Sequence, residues 1–118
     1  GGQAVQALVG GRDDLAGRIA CIEADLKALV RDQVGVEAVI WSHGAYWIHP
    51  RHLVFGIGVA TDALRDRLRA DAVVQRDWRA LLARHGWPAV ARDAVAFFVE
   101  SQQTVDRDSG GNWWHHVR

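Results

Sequence analysis

Hydrophobic side chains recur at steps of three and four residues along residues 13–33, a spacing that places them on one face of an α-helix. Two acidic residues, Asp13 and Asp14, open this segment and Arg31 lies in its last turn, as the helix dipole favours. Gly35 follows as a stop signal. The pattern therefore predicts an amphipathic helix over about 13–33. Its predicted core positions are Leu15, Ile19, Ile22, Leu26, Leu29 and Val30.

Two segments with the composition of β-strands follow this helix. Residues 36–42 are rich in β-branched and aromatic side chains, and residues 53–60 alternate between large side chains and small ones. Gly44, Pro50 and several polar residues separate them. This composition predicts a loop or an irregular hairpin connection over 43–51.

A second helical region follows the strand pair. Thr61 or Asp62 is placed to cap its start, and apolar residues keep helical spacing until Gly86 gives a stop signal. Asp71 divides the region into two helices if it caps the second of them. Pro88 then starts one further turn of helix.

The end of the chain predicts a hairpin. Residues 94–105 form an apolar run that continues into polar residues, 106–112 have the composition of a turn, and 113–117 form a last strand. The order helix, strand, strand, helix, strand, strand is typical of an α+β fold. We expect a single domain over 1–118, with an antiparallel sheet of about four strands and helices packed on one face. This is a ferredoxin-like or related two-layer sandwich, and the layer order implies no function.

Composition and charge narrow the class of protein. The 118 residues suffice for one hydrophobic core. With 14 basic and 14 acidic residues the formal net charge is zero, which argues against electrostatic binding to nucleic acid. No apolar run reaches membrane-spanning length, and the single Cys21 excludes an internal disulfide. We therefore expect a soluble cytoplasmic protein with no nucleic-acid partner, no membrane partner and no cofactor. Residues 1–11 are set aside as a tag remnant or a flexible segment.

A glycine pair in the second predicted strand invites comparison with a dinucleotide-binding loop. That motif needs a third glycine or alanine where this chain has Thr61, and it needs the glycines in the turn. Here Gly56 and Gly58 lie inside the strand pattern and leave one of its faces bare. The sequence predicts that a neighbouring aromatic ring, such as that of Trp41, lies across them.

Three features of the helices receive structural interpretations. Trp78 lies on the apolar face of its helix and is predicted to be a core residue. Cys21 lies near the apolar stripe of the first helix and is also predicted to be in the core. In the second helical region arginines alternate with aspartates at helical spacing, which is typical of a solvated, self-paired face. These arginines are Arg65, Arg67, Arg69, Arg76 and Arg79.

The aromatic residues are clustered. All six tryptophans and all six histidines lie at or beyond Trp41, and rings with a polar edge concentrate at binding sites and interfaces. Trp113 and Trp114 are neighbours in a predicted strand, so they point to opposite faces and cannot both be core on one side. A shallow apolar patch on the sheet face away from the helices would then need a ligand or a partner. The candidate binding residues are Trp41, His43, Trp47, His49, His52, Phe98, Trp113 and Trp114.

One pairing in the predicted C-terminal hairpin suggests catalysis. Glu100 faces His115 or His116 across the strands, and a carboxylate that orients an imidazole is suited to general acid–base chemistry. The alternative is a cross-strand ion pair at the edge of the sheet. The sequence contains no nucleophile elbow that would add to the catalytic hypothesis.

We expect a small binding or interaction module whose site is the uncovered sheet face beside the histidine-rich loop. Either two copies pack sheet to sheet as a homodimer, or the face binds a small planar or aromatic ligand. An acid–base enzyme of the hydrolase or isomerase type is the alternative. A metal site is less favoured, because the spacing of the loop histidines fits no recognised zinc pattern. Those histidines are His43, His49 and His52.

Overall fold

The computed structural model describes residues 2–110, with side chains from Asp14 to Asp108. Four α-helices and three strands follow one another in this part of the chain. They are α1 (Gly2–Val34), β1 (Val39–His43), β2 (Val54–Val59), α2 (Asp62–Ala70), α3 (Ala72–Arg84), β3 (Ala96–Ser101) and α4 (Gln102–Ser109). Short 3-10 turns cover Pro50–His52 and Ala89–Ala91.

The three described strands form one mixed sheet in the order β1-β2-β3. β1 pairs antiparallel with β2, and β2 pairs parallel with β3. The predicted α+β class is confirmed, but the predicted all-antiparallel pairing is wrong, because β2 and β3 run parallel; the fourth predicted strand lies outside the described residues. The physical reason is the crossover: α2 and α3 return the chain to the end of the sheet where β2 begins, so β3 runs parallel to β2.

One side of the sheet, the packed face, holds the core. Successive residues of a strand point to opposite sides, and this side carries Phe55, Ile57 and Val59 of β2, none more than 3% exposed. α1 contacts β1, and the Trp78 ring of α3 lies 6.1 Å from that of Phe97 in β3. Helices α1 and α3 therefore cover this face, and Trp78 is a core residue as predicted.

Helix α1 begins before the predicted range and ends one residue after it. Its predicted apolar stripe is confirmed: Ile19, Ile22, Leu26 and Val30 are buried. The prediction for Cys21 is wrong, because this residue is exposed. It precedes Ile22 by one residue and therefore lies about 100° away from it around the helix axis.

The second helical region consists of two helices, one of the alternatives that the sequence left open. The Thr61 hydroxyl accepts a hydrogen bond from the Leu64 N–H and caps α2. The Asp71 carboxylate accepts hydrogen bonds from two N–H groups in the first turn of α3. Asp71 thus separates the helices.

Helix α4 covers residues that the sequence predicted as the end of a strand and the start of a turn. The predicted strand 94–105 ends at Ser101, whose hydroxyl accepts a hydrogen bond from the Thr104 N–H and starts a helix instead. The helix ends at Gly110, which has the left-handed conformation typical of a C-terminal cap. The predicted strand 113–117 lies outside the described residues.

Candidate functional site

The side of the sheet opposite the helices α1 and α3, here called the open face, has a floor of glycine. Trp41 of β1 and Phe98 of β3 are both register partners of Gly56, which lies between them in β2. The indole of Trp41 lies across Gly56, where any Cβ atom would overlap the ring. This arrangement confirms the steric interpretation for Gly56. The complete set of open-face positions is Val39, Trp41, His43, Val54, Gly56, Gly58, Ala96, Phe98 and Glu100.

Much of the open face is accessible to solvent. Val39 is 57% exposed and Phe98 is 40% exposed, and both belong to residue types that fold into protein interiors. Ala96 and His43 are also exposed, and Trp41 is half-buried above the glycine floor. The result is a shallow aromatic surface with an ionisable side chain, His43, at one end.

Arg69 of α2 contacts both the Phe98 ring and the β3 backbone next to it. Its guanidinium carbon lies 5.5 Å from the centre of the Phe98 ring, in the geometry of a cation–π contact. The Nε and Nη2 atoms of Arg69 donate to the Val99 carbonyl at 3.0 and 2.6 Å. One arginine therefore contacts the ring and holds the β3 backbone beside it.

Glu100, the predicted catalytic carboxylate, lies at the far end of the open face and is 5% exposed. Its Oε1 atom lies 3.2 Å from Nη1 of Arg65, and its Oε2 atom lies 3.8 Å from Nη2 of Arg69. The Ser101 N–H also donates to Oε1 at 2.9 Å. This environment suits a carboxylate that anchors β3 to α2.

Asp62 is the centre of the adjoining hydrogen-bond network between α2 and α4. Its carboxylate accepts hydrogen bonds from the Ser101 hydroxyl, from the Thr104 hydroxyl at 2.9 Å and from Arg107 at 2.8 Å. The Ser101 hydroxyl above all, and then Arg107, hold the pKa of Asp62 well below its usual range.

The interpretation of the α2 arginines as a solvated, self-paired face is only partly right. Arg65 does pair with Asp62 and Asp66, and its hydrogen bond with Asp66 above all raises its pKa. However, Arg65 and Arg69 also contact Glu100 of β3. Glu100 follows Arg65 by 35 residues and Arg69 by 31 residues, so helical spacing alone gives no signal for these two contacts.

The histidine-rich loop lies at the end of the sheet where β2 begins, opposite to the Glu100 end. Nδ1 of His49 accepts a hydrogen bond from the Arg51 N–H, and the His49 and His52 rings are 6.2 Å apart. Trp47 is 54% exposed, with its ring packed edge-on against Tyr46. Among the described residues there is no group of three or more metal-ligating side chains that could hold an ion.

A carboxylate–imidazole pair occurs at a place that sequence reasoning missed. Nε2 of His85, the cap residue of α3, lies 2.6 Å from Oδ2 of Asp25 in α1. The pair is partly buried between two helices. Sixty residues separate its members, and no local spacing in the sequence points to it.

The structure brings together three predicted binding residues on the open face: Trp41, His43 and Phe98. Trp47, His49 and His52 lie in the loop at the same end as His43, whereas Glu100 lies at the other end. Four predicted site residues fall outside the described residues, so the acid–base pairing with Glu100 stays a prediction. They are Trp113, Trp114, His115 and His116.

No family model, curated protein or solved structure matches this chain. In the part of the chain that the structure describes, no helix has the length and apolar character needed to cross a membrane.

Proposed function

We propose that this chain is a binding module whose open face binds a small planar, aromatic molecule. One observation carries the proposal: Trp41 and Phe98 flank Gly56 in register, with the Trp41 ring across the glycine and Phe98 40% exposed. Flat rings stack on exposed aromatic side chains, and a glycine floor keeps the surface shallow enough for such contact.

The size of the face favours a small ligand over a second copy packed sheet to sheet. Strands are about 4.8 Å apart and rise about 3.3 Å per residue. Three strands of five or six residues therefore give a face of roughly 250 Å². A stable protein interface covers about 800 Å² on each partner. A sheet-to-sheet homodimer would thus need contacts well beyond this face, whereas a two-ring ligand would not.

Titration with 2-naphthol, a neutral planar probe, followed by saturation-transfer NMR and calorimetry, tests the proposal. We expect saturable binding that Phe98→Ala weakens about five-fold or more, because one stacking contact contributes about 1 kcal/mol or more. Phe98 is a suitable target because it lies outside the packed core, so its truncation should leave the fold intact.

The matched control is Val73→Ala, which truncates a side chain that is 57% exposed on α3. This helix packs on the other side of the sheet, so the control should bind 2-naphthol as the unchanged chain does. Absence of binding, or equal binding by the Phe98→Ala variant, would overturn the proposal.

A further inference from the structure

The two outer strands of the sheet differ in how their edges are protected. The Ala96 N–H of β3 donates to the Leu53 carbonyl before β2. The N–H and C=O of one residue point to the same side of a strand, and the side alternates along the chain. Ala96 and Phe98 therefore point their backbone groups toward β2, and Val99 points its own outward. Arg69 covers this outward carbonyl with two hydrogen bonds.

The same alternation assigns the outward groups of β1. Because Leu53 points its backbone groups toward β3, Val54 and Gly56 point theirs toward β1, where they meet His43 and Trp41. The N–H and C=O groups of Ile40 and Ser42 are then left on the outer edge of β1. Within the described range, neither residue has a backbone hydrogen bond outside the sheet.

The β1 edge lacks the usual devices that prevent pairing between strands. Its sequence, Val39–His43, contains no lysine, proline or carboxylate, and its register with β2 runs without a bulge. Val39 is 57% exposed. An unprotected edge with apolar side chains is a template for another strand.

We propose that two copies of this chain join their β1 strands, antiparallel about a two-fold axis at Ile40, into one continuous sheet. The axis runs perpendicular to the sheet, so the two packed faces lie on the same side and the two open faces lie on the other. The interface is isologous, because each copy contributes the same strand.

Side-chain complementarity selects Ile40 as the axis. The backbone groups of β1 also permit axes at Trp41 or Ser42. With the axis at Ile40, Val39 faces Trp41 of the second copy. This register places an apolar pair on the open face, and symmetry repeats the pair. An axis at Trp41 instead places Val39 opposite His43.

One side of helix α1 has room for the α1 helix of the second copy, which would lie beside it above the joined strands. Beside Glu37, the residue that leads toward β1, lies a shallow depression along α1. Ala24 and Ala28 line it and are exposed, with Lys27 and Arg31 at its border. The two-fold axis brings the α1 helices of both copies side by side. Small side chains there allow a close approach of their axes.

Light scattering after size exclusion on the full chain is the first test. We expect twice the 13.1 kDa chain mass, and the single chain mass for Ile40→Pro, which removes an outward N–H without breaking the β1–β2 ladder. Ile40→Val should remain dimeric, and circular dichroism should show that each variant is folded. A monomeric unchanged chain would overturn the proposal.

Cysteine cross-linking tests the register without a proline in β1. In a Cys21→Ser background, Ile40→Cys should form a disulfide between copies. Opposed residues in a hydrogen-bonded antiparallel pair have Cα atoms about 5.5 Å apart, within disulfide range. Ser42→Cys is the matched control and should stay reduced. Cross-linking of Ser42→Cys alone, or of neither variant, would overturn this interface. Probe binding to the open face is measured separately, so either proposal can fail without the other.

Discussion

Among single residues, Gly56 cannot gain a side chain without movement of its neighbours. Trp41 fills the space above it, so Gly56→Ala forces the indole or the β1 backbone to move. Overpacking of this kind costs about 1–3 kcal/mol. We expect Gly56→Ala to lower the free energy of unfolding by that amount in urea titrations.

Gly17 supplies the matched control for this substitution. It lies in α1, and no atom lies within 4 Å of a Cβ added there. Alanine is the better helix former, so Gly17→Ala should raise the free energy of unfolding by about 0.5–1 kcal/mol. Equal changes in the free energy of unfolding for Gly56→Ala and Gly17→Ala would contradict the inference that the Trp41 ring fills the space above Gly56.

The Trp41 contact was predictable because a period-two glycine pattern is visible within one strand. The partners of Glu100 were not predictable in this way. Arg65 and Arg69 precede it by 35 and 31 residues, and their alternation with aspartates already had a local explanation. Contacts across the fold depend on strand order, which residue spacing does not encode.

At the scale of secondary-structure elements, the Asp62 carboxylate links helix α2 to helix α4, and the stability that this link provides should depend on pH. Because hydrogen bonds from Ser101 and Arg107 lower its pKa in the folded chain, Asp62 stabilises the fold above its ordinary pKa of 3.8. That contribution is lost as the pH falls toward the lowered folded-state pKa. The difference in free energy of unfolding between the unchanged chain and Asp62→Asn should therefore be largest near neutrality and shrink below about pH 4.

Denaturant unfolding at several pH values measures this difference. Asp66→Asn is the control: this aspartate pairs with Arg65 and its side chain is 64% exposed, so its removal should change stability little. A difference for Asp62→Asn that stays constant from neutral to acidic pH would contradict the assignment.

Helix α4 is the element that sequence reasoning missed. Its residues are mostly polar and lead into a run of aspartate and glycine, which has the composition of a turn. A signal was present: Ser101 as a cap and Gly110 as a stop enclose eight residues. The contacts of α4 with Asp62 of α2 come from the tertiary fold, and no local pattern in the sequence indicates them.

At the scale of the whole molecule, α1 and α3 form the helical layer that packs against the sheet. Among the described side chains, hydrogen bonds join α1 to α3 and to the residues just after α3: Arg18 donates to the Gly86 carbonyl, Asp25 pairs with His85, and the indole N–H of Trp78 donates to Gln33 at 2.9 Å. Residue numbers rise along α1 as they fall along α3, so the helices run antiparallel. The sequence predicted both helices and the apolar stripe of α1, but it contained no information on these contacts.

The Asp25–His85 pair should contribute measurably to holding this layer together. A double-mutant cycle with Asp25→Asn and His85→Gln isolates its coupling energy from other effects of each change. We expect about 0.5–1 kcal/mol, because the pair is a short hydrogen bond whose members are both partly exposed. Asp32→Asn, on an exposed position of the same helix, should show no coupling to His85→Gln. Strictly additive effects at Asp25 and His85 would mean that the Arg18 and Gln33 contacts, together with the apolar stripe, align the two helices without this pair.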